Sequence, residues 1–176
     1  MKIETERLLI RPWEPGDLKH YKAMSQDVGY NCFSLPGSFF IKDDQDGSEK
    51  IKKLMSLFAD HKIGKFPVFE KQSGSFVGTC GGDLFDFYGS QQVEISYRIM
   101  LAHWSKGYAT EASRAAVKYL LVDAGVKPLY GFALYQNAQS RKILEKIGFR
   151  ATGEFMWCNL LHQMFVIDPP TPSLPA

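Results

Sequence analysis

Side chains and spacings suited to chemistry concentrate between positions 94 and 149 of this 176-residue chain. A strand pattern carrying Glu94, Tyr97, Arg98 and Ile99 runs out near Leu101, and a helix pattern opens at Gly107, just behind Ser105 and Lys106. Amides in the first turn of a helix lack intrahelical partners and sit at the positive end of its dipole. The spacing therefore predicts a site for a phosphate-type anion. Gly107 would let the anion approach the backbone with no Cβ in the way, Ala109 and Ala112 keep that helix face low, and Lys106 adds a charge. Taken alone, the segment fits an ordinary capped helix as well. It is neither the nucleotide loop GxxxxGKS/T nor the dinucleotide loop GxGxxG. Further on, Asn137 stands at a cap position with Ser140 in the next turn. Ile143, Leu144 and Ile147 form one apolar stripe, and Gly148 is placed to end the helix. Capping explains Gly148 fully, Asn137 in part and Ser140 hardly at all.

The elements that must position these residues are legible as patterns. Alternation predicts a first strand over residues 7–13, and Asp17 is read as the cap of a helix running to about residue 26. Residues 29–47, rich in Gly, Ser, Pro and aromatics without period, read as a loop on the substrate side. A helix is predicted over 48–61, and then strands over 66–71, 76–87 and 92–101. Gly78, Gly81 and Gly82 suggest a bulge or a close backbone approach in the middle strand. A helix over 107–124, a strand over 129–134, a helix over 138–147 and strands over 149–154 and 160–167 complete the pattern. A meander followed by strand–helix–strand–helix implies a mixed α/β (α+β) fold, one sheet with helices on its faces. Residues 1–168 read as a single domain, and 169–176 as an extended, disordered, Pro-rich tail.

Composition narrows the function. The apolar fraction is 45%, the charged fraction 23% and the net charge +2, with 21 basic against 19 acidic residues. That balance argues against a broad nucleic-acid face, yet leaves room for one small anionic ligand. Cys32, Cys80 and Cys158 are scattered, form no CxxC pair and have no zinc-type His spacing, so they read as reduced thiols of a cytoplasmic protein without a metal. The charged, strand-like start is unlike a signal peptide, and no stretch has the length of a membrane span.

Three ordered motifs carry a resemblance. Trp104-Ser-Lys-Gly107-Tyr-Ala109 matches the last four positions of a pyrophosphate loop written Gln/Arg, two free positions, Gly, one free position, Gly/Ala. Trp104 departs at its first position, but such a loop binds chiefly through backbone amides. Residues 137–149 resemble an N-x-x-S-x-x-x-L-E-K-x-G-F segment, and residues 4–12 resemble a TERLxLRP start. Together these resemble the GNAT superfamily of N-acetyltransferases, most closely its RimJ/RimL-type branch. The resemblance implies a mixed, mostly antiparallel sheet with a strand–loop–helix pyrophosphate site. It also implies acetyl-CoA as acyl donor and an amine, either a protein N-terminus or a small molecule, as acceptor in a ternary complex. A homodimer is compatible with it, and a non-catalytic acyl-CoA-binding module is the alternative.

The resemblance also distributes roles. Ser105, Lys106, Gly107, Tyr108, Ala109 and Thr110 would hold the pyrophosphate. Tyr97, Arg98 and Ile99 would give backbone hydrogen bonds to pantetheine, with the Ile99 amide polarising the thioester carbonyl. Asn137 would meet the pantetheine arm and Lys142 the 3′-phosphate. Glu94 would be the general base, its other reading being a solvated or ion-paired strand residue. Many members place a tyrosine acid where this chain has Leu144, so Ser140 is the expected substitute, both contacting CoA and helping the thiolate leave. His103 reads as a packing or surface histidine, and Glu111 as a carboxylate favouring the helix dipole. Phe33, Phe39, Phe40, Phe85, Phe87 and Tyr88 fit an acceptor cleft or the core. Asp43, Asp44, Asp46 and Glu49 fit an acidic rim or a solvated loop.

Overall fold

The computed structural model describes residues 1–34, 39–87 and 89–167; the tail, Tyr88 and the centre of the 29–47 segment lie outside these. Two short strands open the chain, β1 (Ile3–Glu4) and β2 (Leu8–Ile10), so the expected strand over 7–13 is shortened to three residues and an unexpected strand precedes it. Pro12, which has no N–H to give, and the turn into a 3-10 segment (Pro15–Asp17) end β2 early. Asp17 does not cap the following helix, α1 (Leu18–Gln26). Its carboxylate instead takes a two-pronged pair from Arg11, at 2.7 and 2.8 Å, and the Glu14 amide at 2.8 Å.

The expected loop over 29–47 is partly helical. Helix α2 (Val28–Asn31) is capped by Asp27, which accepts from the Tyr30 amide at 2.6 Å. Helix α3 (Asp44–His61) starts four residues earlier than its apolar stripe suggests, because Asp43 caps it and acidic residues fill its first turn. The acidic cluster is thereby accounted for: Asp44 pairs with Lys22 and Asp46 with Lys50.

Strands β3 (Lys65–Glu70), β4 (Phe76–Phe87) and β5 (Ser90–Ile99) form the meander. Both readings of the glycines in β4 hold in part. The register slips opposite Val68 and Phe69, and Cβ atoms at Gly78 and Gly81 would lie 2.1 and 2.0 Å from the carbonyl oxygens of Arg98 and Gly64. After a 3-10 turn (Leu101–His103) come α4 (Tyr108–Lys118), whose last turns widen into a π-helix (Tyr119–Asp123), β6 (Leu129–Leu134), α5 (Ala138–Lys146), β7 (Arg150–Trp157) and β8 (Leu160–Ile167).

These strands make one sheet in the order β1-β2-β3-β4-β5-β6-β8-β7, antiparallel throughout except for β5 beside β6. The mixed, mostly antiparallel sheet flanked by helices is the expected architecture. One apolar cluster lies between the sheet and α4 and α5, with Ile95, Ala112, Leu120, Leu129, Leu144 and Phe165 buried in it. A second, built on Trp13, Tyr21, Met24, Tyr30, Ile51, Phe69 and Phe76, fills the space beneath α1 to α3. The helices thus cover both faces of the meander side, and α5 covers one face of β6. No helix among the described residues is long and apolar enough to cross a membrane.

Candidate active site

The site is built on an interruption in the sheet. Met100 donates its amide to Val77 O at 3.0 Å, which fixes the parity of the β4–β5 ladder. Its hydrogen-bonded pairs fall at Thr79–Arg98, Gly81–Ser96 and Asp83–Glu94, so the amides of Ile95, Tyr97 and Ile99 turn toward β6. There the parallel pairing runs only from Val93–Leu129 to Ile95–Gly131. Beyond it the strands part, and Tyr97 and Ile99 face a gap with their backbone groups unspent in the ladder.

A cavity of about 430 Å³ occupies this gap and extends to the start of α4. Every residue expected on the cofactor side except Lys106 lines it: Tyr97, Arg98, Ile99, Ser105, Gly107, Tyr108, Ala109, Thr110, Asn137, Ser140 and Lys142. Gly107 has φ +80°, a conformation costly for any residue with a Cβ, and it turns the chain into the helix. The first amides of α4 are then left open to an anion. Trp104, at the departing position of the motif, donates Nε1 to Ile99 O at 2.6 Å and ties the loop back to β5. Lys106 holds the loop through its carbonyl, which accepts from Arg7 Nη1 at 2.9 Å. Arg98 contributes side-chain surface rather than an amide, since its amide belongs to the β4 ladder. Its guanidinium donates to Tyr30 O at 3.3 Å and lies over the Phe39 ring.

Across the gap, α5 supplies polar groups. Asn137 Oδ1 accepts from the Ser140 amide at 3.0 Å, so this side-chain oxygen caps the helix. Ser140 Oγ meets the Tyr97 hydroxyl at 2.9 Å, and the same hydroxyl donates to Ser140 O at 3.0 Å. Burial holds the Tyr97 hydroxyl far above the usual phenol range, only partly offset by Ser140. The sequence pointed to the backbone of Tyr97 and missed its side chain. Strand parity was the available signal, because Tyr97 shares the face of the buried Ile95 and Ile99, on which α4 packs. Leu144, which occupies the usual tyrosine position, is fully buried in the core instead.

Glu94 does not line the cavity. It lies half-buried on the opposite sheet face, level with Asp83 on β4 and Tyr130 on β6. Burial, then the nearby Asp83 carboxylate, raises its carboxyl to about 7, against the pull of Lys65 and Arg98. Asp83 is itself paired with Lys65 at 2.6 Å, and Glu94 forms no ion pair among the described residues. His103 lines the cavity with a buried, unpartnered Nδ1, and burial followed by the charge of Lys106 lowers its pKa. Gly29, Tyr30, Phe33, Gln139, Ile143 and Lys146 also line the cavity; Phe33 was named for the acceptor cleft and Ile143 for the apolar stripe of its helix, and nothing in the local spacing singled out the other four. A second concavity, about 470 Å³ between Lys2, Arg11 and Lys71, sits at the β1–β3 edge away from this chemistry. No group of three or more potential metal ligands occurs among the described residues.

Known proteins share this arrangement of elements. The uncharacterized N-acetyltransferase YnaD of Bacillus subtilis is 25% identical over 158 residues, 90% of this chain and 88% of that protein. The crystal structure of a GNAT-family acetyltransferase from Bacillus anthracis superposes with a TM-score of 0.74 at 25% identity, covering 96% of this chain and 98% of the other. RimL, a ribosomal L7/L12 α-N-protein acetyltransferase solved with coenzyme A, has the same fold at a TM-score of 0.81, with 10% identity and 96% and 98% coverage. The family described as acetyltransferase (GNAT) domain matches residues 7–150, nearly the whole span from β2 to β7, and the chain belongs to it as an acetyltransferase enzyme.

Proposed function

We propose that this enzyme moves an acetyl group from acetyl-CoA directly to a primary amine, with both substrates bound together, in the manner of the RimJ/RimL-type branch. The parting of β5 and β6 carries the reading. It presents the Tyr97 and Ile99 amides to an extended pantetheine arm, with the open N-terminus of α4 at one end and Ser140 opposite. RimL, of the same fold, was solved with coenzyme A. The Ile99 amide polarises the thioester carbonyl, where a lost donor typically costs a few kcal/mol. The amine nitrogen forms its bond to the carbonyl carbon from the Glu94 face, and the C–S bond breaks toward Ser140. Glu94 takes the proton lost by the amine, directly or through water. The Ser140–Tyr97 hydroxyl pair gives a proton to the departing thiolate.

Thiol release from acetyl-CoA, followed against peptides with free N-termini, polyamines and aminoglycosides, tests this reading. Ser140→Ala should lower kcat by about ten- to a hundredfold while coenzyme A affinity by calorimetry stays within a few-fold. Affinity without turnover on any amine would favour the non-catalytic module. Absence of coenzyme A binding would remove the basis of the assignment.

A further inference from the structure

On the sheet face that carries Glu94, helices α1 to α3 stop at the meander side, and over β6, β8 and β7 the strands present a row of rings. Phe85 of β4 meets Phe132 of β6 across the intervening β5, with centroids 4.9 Å apart and rings edge to face. Tyr130 joins them at 5.6 Å from Phe85. The row continues from Phe132 to Phe155 of β7 at 5.1 Å, then to His162 of β8 at 5.4 Å, and ends at Trp157, which is 53% exposed. Tyr130 is the register neighbour of Glu94, so the carboxylate stands at one end of the row.

We propose that this row is the acceptor platform, and that the acceptor is a small monoamine carrying a flat apolar group, its ammonium end at Glu94 and its ring on Phe85, Phe132 and Phe155. The inference rests on the acetyl-transfer reading above and adds the substrate class. Among the described residues Glu94 has no ion pair, whereas Asp83 beside it is held by Lys65, so Glu94 is the carboxylate placed to receive one ammonium. Ring faces suit both an aromatic body and the partly desolvated cation beside it. A peptide acceptor fits poorly. Each of its residues brings an N–H and a C=O, whereas most of the strand backbone beneath the row is spent in the β4–β5, β6–β8 and β7–β8 ladders, which leave only the outer edge of β7 and the gap beyond Gly131 open. Polar groups along the row are few among the described residues: Gln92 beside Phe85, the Tyr130 hydroxyl and His162, whose Nδ1 lies 2.9 Å from Leu160 O. With Asp83 already paired to Lys65, a polyamine's further ammonium groups would meet ring faces alone along the described row, a weaker attraction than an ion pair with a carboxylate.

The test compares 2-phenylethylamine, spermidine and a Ser-headed tripeptide as acceptors at saturating acetyl-CoA, using wild type, Phe155→Ala and the milder Phe132→Leu. Phenylethylamine should exceed the other two in kcat/KM by about tenfold or more. Phe155→Ala should raise its KM by about three- to tenfold, leaving kcat and the KM for acetyl-CoA in place. Turnover of spermidine or the peptide with phenylethylamine idle would overturn the platform while leaving acetyl transfer intact. A parallel rise in the KM for acetyl-CoA would make the rings structural. A dimer in sedimentation that Trp157→Ser dissociates would make the row a subunit interface and equally overturn it. Acetyl-CoA affinity, read by calorimetry, reports separately on the acetyl-transfer reading.

Discussion

Glu94 illustrates a residue whose usefulness and cost have the same origin. Burial between strands, with the Asp83 carboxylate as its register neighbour, raises its carboxyl from the ordinary 4.5 to about 7. In its proposed role as base it works ionised, so kcat/KM for the amine should climb as pH rises through about 7 and then level off. Glu94→Gln should lose that limb and about a hundredfold in rate. The stability effect has the opposite sign. A carboxyl whose folded pKa lies above its unfolded value binds its proton more tightly when folded. Its stabilising contribution is complete below pH 4.5 and is lost as pH rises through about 7. Glu94→Gln should therefore melt higher than wild type at pH 8, by on the order of 1–2 kcal/mol once the water still reaching a half-buried group is allowed for. The two proteins should converge near pH 5. Paired thermal melts at the two pH values check this. A variant less stable than wild type at pH 8 would mean that Glu94 is held by a favourable partner rather than poised as a base.

At the scale of elements, legibility follows the range of the forces involved. Strands β4, β6 and β8 begin and end where alternation and turn residues put them, because both signals are local. Helix α2 has no periodicity to announce it and exists because Asp27 caps it, accepting the Tyr30 amide and also reaching the Leu101 amide at 3.1 Å. The lining of the cavity was largely legible because most of it rests on one strand–loop–helix run and one short helix. The Tyr97–Ser140 pair and the ring row were not, since they join residues from separate elements. The clamp on the loop before α4 is another such case. Glu111, readable only as a dipole partner, accepts from Thr5 Oγ1 at 2.5 Å, the Arg7 amide at 2.9 Å and Arg7 Nε at 2.7 Å. Burial alone would raise its pKa, and these hydrogen bonds outweigh it and lower the value. Through Arg7 Nη1 and Lys106 O, the clamp reaches the turn before Gly107. Glu111→Gln should raise the KM for acetyl-CoA about three- to tenfold with kcat nearly unchanged, and Arg7→Lys should do likewise, because lysine lacks the two-pronged fork. A steady-state split of KM from kcat decides it; a fall in kcat at constant KM would place Arg7 and Glu111 in the chemistry rather than in positioning the loop.

Across the whole molecule, the sheet is two antiparallel blocks joined at a short parallel seam, Val93–Ile95 beside Leu129–Gly131. Packing holds the seam where ladder bonds are few. Leu144 presses so closely on Gly131 that a Cβ there would lie 2.7 Å from Leu144 Cδ2, and Ile95 fills the other side. This accounts for leucine at position 144: the side chain is structural, and in the proposed mechanism the hydroxyl comes from the Tyr97–Ser140 pair across the gap. The seam's weakness is also what leaves the gap open, so a ligand lying in it should stitch the blocks together. Acetyl-CoA at a hundredfold its Kd should add about 2.7 kcal/mol of stability. In a domain of this size that is a rise in Tm of roughly 5–10 °C. Leu144→Ala should lower stability by about 2–5 kcal/mol through the cavity it leaves. Hydrogen exchange shows where the ligand acts. If acetyl-CoA bridges the seam, amides of β6 and α5 should slow together with those of β5 and the start of α4. Protection confined to the first turn of α4 and the loop before it would mean that the anion site binds alone, and that the gap between β5 and β6 is not where the thioester lies.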